Sequence, residues 1–201
     1  DIRSLDFIRR NIYNKYIICV DGAARYLTKI KIVPDLLIGD FDSIDSEDLL
    51  CIKNQGAVCQ RFPAKKDATD TELALEYGIQ LKPKSITILG ALGSRQDHSI
   101  ANIMLLYKML QHKVKGKIID ENNEMMITDS FLSIKGKVGE NISIIPLSKM
   151  AKGVTLTGLE YLLVNKDISM GSSFGISNVF SSEDATISVE EGILLIIKSK
   201  E

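Results

Sequence analysis

Apolar and polar positions divide the chain into two textures. Through roughly the first 130 residues, short apolar runs alternate with amphipathic stretches. "YIICV" (16–20), "DLLIGD" (35–40), "AVCQRF" (57–62) and "SITILGALG" (85–93) read as strands. Pro34 forbids a helix running into the second of these. Between them, "ARYLTKI" (24–30) supplies a turn or two of helix, and "SEDLLCIKNQG" (46–56) fits a short helix closed by Gly56. Thr69 and Glu72 form a Ser/Thr-x-x-Glu capping box, so a helix begins near Asp70. The clearest helix runs from Gln96 to about His112, with Ile100, Ile103, Met104, Tyr107 and Leu110 on one face. "KGKIIDE" and "EMMITDS" follow as extended pieces. Beyond residue 130 no helical stripe of useful length remains. "LSIKG", "NISIIPL", "GVTLTGLEYLL", "TISVE" and "GILLIIKS" are short, β-branched and punctuated by Gly and Ser.

Strands alternating with helices predict a mostly parallel sheet flanked by helices, a Rossmann-like α/β arrangement. The later texture predicts an antiparallel β-sandwich. The boundary falls near residues 128–132, giving domains 1–129 and 130–201. Hydrophobic residues at 45% support a packed core, and 25 basic against 26 acidic residues leave a net charge of -1, without the basic surplus that nucleic-acid binding wants. No apolar run has the roughly 18–20 residues of a membrane span, so no membrane partner is expected. Cys19, Cys51 and Cys59 form no CxxC and only two histidines exist, which argues against zinc and for reduced thiols in the cytoplasm.

The chemistry concentrates in acidic residues after strand candidates. Asp40 and Asp42 flank Phe41 at the end of "DLLIGD". In an extended backbone both would point the same way, about 6.6 Å apart at Cα. At about 4 Å in a partly buried site two such charges repel by about 4 kcal/mol, and a bound cation removes that cost. Asp21 follows the first strand, Asp67 and Asp70 the third, and Asp97 the fourth. In a parallel sheet those ends share one rim, where ligands bind. A convergence of carboxylates suits Mg2+ and a polyphosphate. Lys65, Lys66 and Arg95 are the accompanying cations, with Lys65 reading better as ordinary surface charge than as a phosphate ligand. Gly90 and Gly93 allow close backbone approach, and His98 opens the following helix. No GxxxxGK[ST] loop, GxGxxG or protein-kinase signature is present.

Taken together, "VDGAA", "PDLLIGDFDSI", "KDATDTELAL", "GALGSRQDHSIANI", "GLEYLL" and "GSSFGISN" resemble the thiamine pyrophosphokinase (thiamin diphosphokinase) family in order and spacing, from about residue 16 onward. The resemblance implies transfer of pyrophosphate from ATP to the hydroxyl of thiamine, giving thiamine diphosphate and AMP. It implies a homodimer with active sites at the subunit interface. Residue by residue, it assigns Mg2+ to Asp40 and Asp42, with Asp67 and Asp70 as further metal ligands. Asp97 completes the acidic site. Apart from the resemblance, the chemistry asks one carboxylate to take the hydroxyl proton, and Asp70 or Asp97 is the expected acceptor. By the resemblance, Asp21 and Arg95 hold the nucleotide and its phosphates, and Ser177 and Asn178, contributed across the subunit interface, line the thiamine pocket; Lys66, read from its place among the acids, is a further cation for phosphate oxygens. The family opens with a strand and turn that would precede Asp1. Leu162 stands where many bacterial relatives have proline, Ser94 where a second glycine is common, and stacking on thiamine falls to Phe or Tyr, with Phe174 a candidate because Trp is absent. Other readings of the same acids are a metal-dependent phosphohydrolase, a nucleotide-sugar enzyme using a DxD pair, and a non-catalytic thiamine or nucleotide sensor.

Overall fold

The computed structural model describes residues 2–200. It parts into two compact units, residues 1–105 and 106–201. The first contains helix α1 (Leu5–Ile12), strand β1 (Ile18–Val20), a 3-10 turn (Asp21–Ala23), α2 (Ala24–Lys29), β2 (Leu36–Gly39), α3 (Ser46–Asn54), β3 (Val58–Arg61), α4 (Asp70–Gln80) and β4 (Ser85–Leu89). Helix α5 (Gln96–Gln111) spans the division. The second unit holds β5 (Lys115–Ile119), β6 (Asn123–Thr128), β7 (Phe131–Lys135), β8 (Asn141–Pro146), β9 (Met150–Thr157), β10 (Leu163–Ser169), β11 (Asn178–Val179), β12 (Asp184–Ser188) and β13 (Leu194–Ser199). The chain is thus α/β with a parallel sheet among helices first and antiparallel sheets after.

In the first unit β1, β2 and β3 form a parallel sheet in that order. All four residues of the central strand β2 are buried. Its alternation serves both faces. Leu37 packs with Cys19, Leu27 and Ile52 on the side of α2 and α3, and Leu36 and Ile38 pack with Ala74 of α4 on the other. β4 takes no part in this three-stranded sheet, so the four acidic loops do not all leave one set of neighbouring strands.

Local signals explain the helices. Thr69 Oγ1 accepts from Glu72 N at 3.2 Å, the expected cap of α4. α3 is capped by Asp45, whose Oδ1 accepts from Glu47 N at 2.9 Å. α1 has no counterpart in the sequence reading, although Ser4 caps it by accepting from Phe7 N, Asp6 opens it, and Arg9 and Arg10 close it. The apolar stripe on α5 faces outward. Ile100, Met104 and Tyr107 are exposed, whereas Leu105, Leu106 and Met109 face inward.

In the second unit one sheet runs β10-β9-β12-β7, and a second contains β11-β8-β13-β6-β5 as successive neighbours. Their pairings are antiparallel. Inward residues of both sheets interleave in one cluster: Ile142, Ile144, Leu194 and Ile196 meet Ala151, Val154, Leu156, Ile168 and Ile187, with Phe180 among them. This is a β-sandwich core.

Candidate active site

Three neighbouring strand ends build an acidic rim on the first unit. β1 ends at Val20, β2 at Gly39 and β3 at Arg61. Parallel pairing sets Val20 beside Ile38 and Gly39 beside Arg61, so the residues that follow emerge together. Asp21, Asp40 and Asp42 each bring a carboxylate oxygen within 4.8 Å of the others. The convergence of Asp40 and Asp42 has a different cause from the expected one. β2 has already ended, and Phe41 has φ +65°, so the chain turns instead of continuing its pleat. Asp42 N donates to Asp40 Oδ1 at 3.1 Å, closing an Asx turn that holds both acids at the rim. Ser43 Oγ donates to Asp42 Oδ1 at 2.9 Å and fixes that carboxylate too.

Asp21 stands opposite this turn, with φ +41°. A Cβ on Gly39 would lie 2.9 Å from the Asp21 Cβ, so only glycine permits the two strand ends to approach this closely. Asp21 Oδ1 is buried and has no hydrogen-bond partner among the described residues. Such an oxygen costs about 1–3 kcal/mol unless something meets it. Burial pushes the Asp21 carboxyl above its ordinary range, and the charges of Asp40 and Asp42 add to the rise. Asp40 is held below the ordinary range, first by the Asp42 N–H and then by the positive charges of Lys66 and Arg61. The donor set is hard oxygen, anionic and crowded, and one member carries an orphaned buried atom. It fits a hard divalent cation such as Mg2+.

The other predicted residues distribute differently. Lys66 Nζ lies 2.5 Å from Asp70 Oδ1, a pair at the start of α4 with both side chains mostly covered. Lys66 therefore faces Asp70 by contact and Asp40 by charge. Asp67 is exposed, and the close acidic group comprises Asp21, Asp40 and Asp42 without Asp67, Asp70 or Asp97. Arg95 donates to Asp97 through Nη2 at 2.6 Å and Nε at 3.3 Å, both side chains exposed. That bidentate pairing holds Asp97 at about 2. Their loop is pinned from α5. Buried Ser99 accepts from Gly93 N at 3.1 Å and donates to the Arg95 carbonyl, and Asn102 donates to the Ala91 carbonyl at 2.8 Å. Lys65 and His98 are exposed.

On the second unit, Ser177 is exposed at φ +57°, its N–H donating to Ser143 Oγ at 3.1 Å. Asn178 is buried, and its amide is committed to the backbone. Oδ1 accepts from Tyr161 N and Val179 N at 2.9 and 2.8 Å, and Nδ2 donates to Tyr161 O at 2.7 Å. It clamps the "GLEYLL" turn onto the "GISN" turn. Around that clamp Tyr161, Leu162, Phe174 and Ile176 are exposed.

Four further residues shape the site without standing out as candidates in the sequence: Ser43, Arg61, Ser99 and Asn102. Ser43 and Arg61 carried a usable signal, since each directly adjoins a strand end or an acid already singled out. Ser99 and Asn102 carried none, because the carbonyls they serve are fixed only once the loop folds back on the helix.

Residues 10–118 match the family model of the thiamin pyrophosphokinase catalytic domain, and residues 130–194 match that of the thiamin pyrophosphokinase vitamin B1 binding domain. The chain belongs to the thiamine pyrophosphokinase family. A thiamine pyrophosphokinase of Bacillus subtilis (strain 168) is 36% identical to it over 182 residues, covering 90% of this chain and 85% of that protein. The crystal structure of thiamine pyrophosphokinase from Bacillus subtilis matches with a TM-score of 0.90 at 32% identity, covering 100% of this chain and 93% of that one. Thiamin pyrophosphokinase from Candida albicans shares the fold, with a TM-score of 0.86 at 20% identity. Thiamine pyrophosphokinases are transferases that make thiamine diphosphate from ATP and thiamine. Among the described residues, no helix of this family member is long and apolar enough to cross a membrane.

Proposed function

We propose that this thiamine pyrophosphokinase family member binds ATP with Mg2+ at Asp21, Asp40 and Asp42 and transfers its terminal pyrophosphoryl unit to thiamine. The observation that carries this reading is the buried, unpartnered Asp21 Oδ1 inside a trio of converging carboxylates. When bound, the metal neutralises phosphate charge and eases approach of the incoming oxygen. The thiamine hydroxyl oxygen bonds to the β-phosphorus as the bond from that phosphorus to the bridging oxygen breaks, and AMP leaves with that oxygen. Most of the acceleration in such transfers comes from positioning and electrostatics. Lys66 and Arg95 meet phosphate oxygens, each already oriented by a carboxylate, Asp70 and Asp97 respectively. Asp97, held at about 2, is a weak proton acceptor and serves to aim Arg95, which leaves Asp70 as the candidate for the hydroxyl proton. Asp67 is an outer member of the acidic region.

We assign ATP and metal binding to residues 1–129 and thiamine binding to residues 130–201. On the thiamine side, exposed Ser177 offers a hydroxyl and Phe174 an aromatic face, while Asn178 shapes the pocket by holding Tyr161. A homodimer with active sites at the subunit interface is part of this proposal. The exposed apolar stripe Ile100, Met104 and Tyr107 supports an assembly. Three free cysteines favour a cytoplasmic location.

Incubation with ATP, Mg2+ and thiamine, with products resolved by mass, tests the reaction. Equal amounts of AMP and thiamine diphosphate are expected, with no AMP when thiamine is withheld. Release of ADP with thiamine monophosphate, or AMP formation indifferent to thiamine, overturns it.

A further inference from the structure

Arg61 closes β3 and pairs in register with Gly39, the residue before Asp40. Its Nε donates to the Asp40 main-chain carbonyl at 3.1 Å. The guanidinium is therefore bolted to the backbone of the loop that carries two of the three converging acids. A guanidinium has five N–H donors in a planar fork. Only the Nε donor is committed among the described residues, and the side chain is exposed, so the four N–H groups on the terminal nitrogens have no protein acceptor there. Arg95 differs: two of its five donors, one on Nε and one on Nη2, are already given to the Asp97 carboxylate. Arg61 also sits close enough for its charge to act on Asp40. An exposed arginine normally samples many rotamers and loses that freedom when it is ordered on binding. The Nε bond restrains this one beforehand, with its charge beside a site for an anionic ligand.

We propose that Arg61 is a substrate-binding residue that receives phosphate oxygens of ATP on its terminal amino groups, beside the Asp21–Asp40–Asp42 rim. This rests on the reading of that rim as the MgATP site. Arg61 clamps the polyphosphate from the β3 side, opposite in charge to the trio and anchored to the same turn. A planar fork suits phosphate better than an ammonium does, so lysine replaces it only in part.

The test is calorimetric titration of the wild type, Arg61→Ala and Arg61→Lys with ATP in excess Mg2+, and separately with thiamine, alongside thermal melts and the AMP assay. Arg61→Ala is expected to weaken MgATP binding about 10- to 100-fold, as loss of charge-assisted hydrogen bonds predicts. Arg61→Lys recovers part of it, thiamine affinity stays within about twofold, and the melting midpoint is unchanged. Unaltered MgATP affinity in Arg61→Ala overturns the inference. So does a parallel fall in both affinities with a lowered melting midpoint, which marks a strand-end brace. A wild type that binds MgATP but makes no thiamine diphosphate removes the proposed reaction while the affinity ratio still decides Arg61. A wild type that does not bind MgATP removes both.

Discussion

The two units solve the same packing problem with opposite consequences for chemistry. In the first, the three parallel strands all run the same way, and their following loops leave on one edge. Acids at two loop starts and Arg61 at the end of β3 meet there without any strand needing to be long; β1, β2 and β3 have only 3, 4 and 4 residues. Its core is correspondingly split between the two faces of β2. In the second unit antiparallel strands send successive connections to alternate ends, and a continuous apolar cluster fills the space between two sheets. Its polar side chains in loops are consumed in holding the loops, as Asn178 shows. Parallel order gathers unpaired polar atoms, and the sandwich pairs them. The orphaned Asp21 Oδ1 belongs to the first kind of region and the satisfied Asn178 amide to the second.

This contrast can be broken by substitutions that separate activity from stability. Asp42→Ala is expected to lower turnover on the order of a thousandfold, the several kcal/mol that metal electrostatics supply. Its melting midpoint should equal that of the wild type, because an exposed repulsive carboxylate is removed; near-normal turnover at saturating Mg2+ contradicts the site. Phe180→Ala acts in reverse. The ring is buried at 1% exposure in the sandwich cluster, against the backbone at Gly136. Denaturant unfolding should show a loss of about 3–5 kcal/mol. Turnover per folded molecule should hold at a temperature where the variant remains folded.

Asn178→Ala leaves two backbone N–H groups and one carbonyl without their partner. A destabilisation of about 1–3 kcal/mol is expected, together with a raised KM for thiamine and an unchanged KM for ATP. A changed KM for ATP alone would contradict the division of labour between the units. The smallest effect concerns Cys19 in the first unit. Burial pushes its thiol up to about 12 from an ordinary 9.0, with the charge of Asp21 adding to the rise. The folded state holds this proton more tightly than the unfolded state does. The contribution is therefore fully present below about pH 9 and is lost as pH rises from there toward 12. By urea unfolding, the stability lost between pH 8 and pH 10 should be about 1 kcal/mol greater for the wild type than for Cys19→Ala. Equal losses would mean that the thiol gains water in the native state.

Much of the site was legible because its residues lie beside strong local signals. Glycine-ended apolar runs marked the strand ends, and the acids that follow them were visible one by one. Thr69 and Glu72 announced α4 through a bond made within four residues. Other features were not legible for physical reasons. The period of α5 revealed an apolar face but not its direction; Ile100, Met104 and Tyr107 face outward because the inward contacts belong to Leu105, Leu106 and Met109. α1 has a serine cap, suitable end charges and four apolar residues in eight, but it is only two turns long, and which of the four is buried, Ile8, is decided by the core it packs against. Membership of Asp21 in the trio depended on the parallel register that sets β1 beside β2.

By itself, the amino-acid order determined the alternation of strands and helices, the change to short β segments after residue 130, and the residue types at each loop, since these follow from side-chain periodicity and local hydrogen bonding. Tertiary structure alone decided which acids share a cation-sized space. Asp21 joins Asp40 and Asp42 while Asp97 turns to Arg95, because neighbouring strands and the turn at Phe41 bring the first three carboxylates together, and no spacing along the chain encodes that distance.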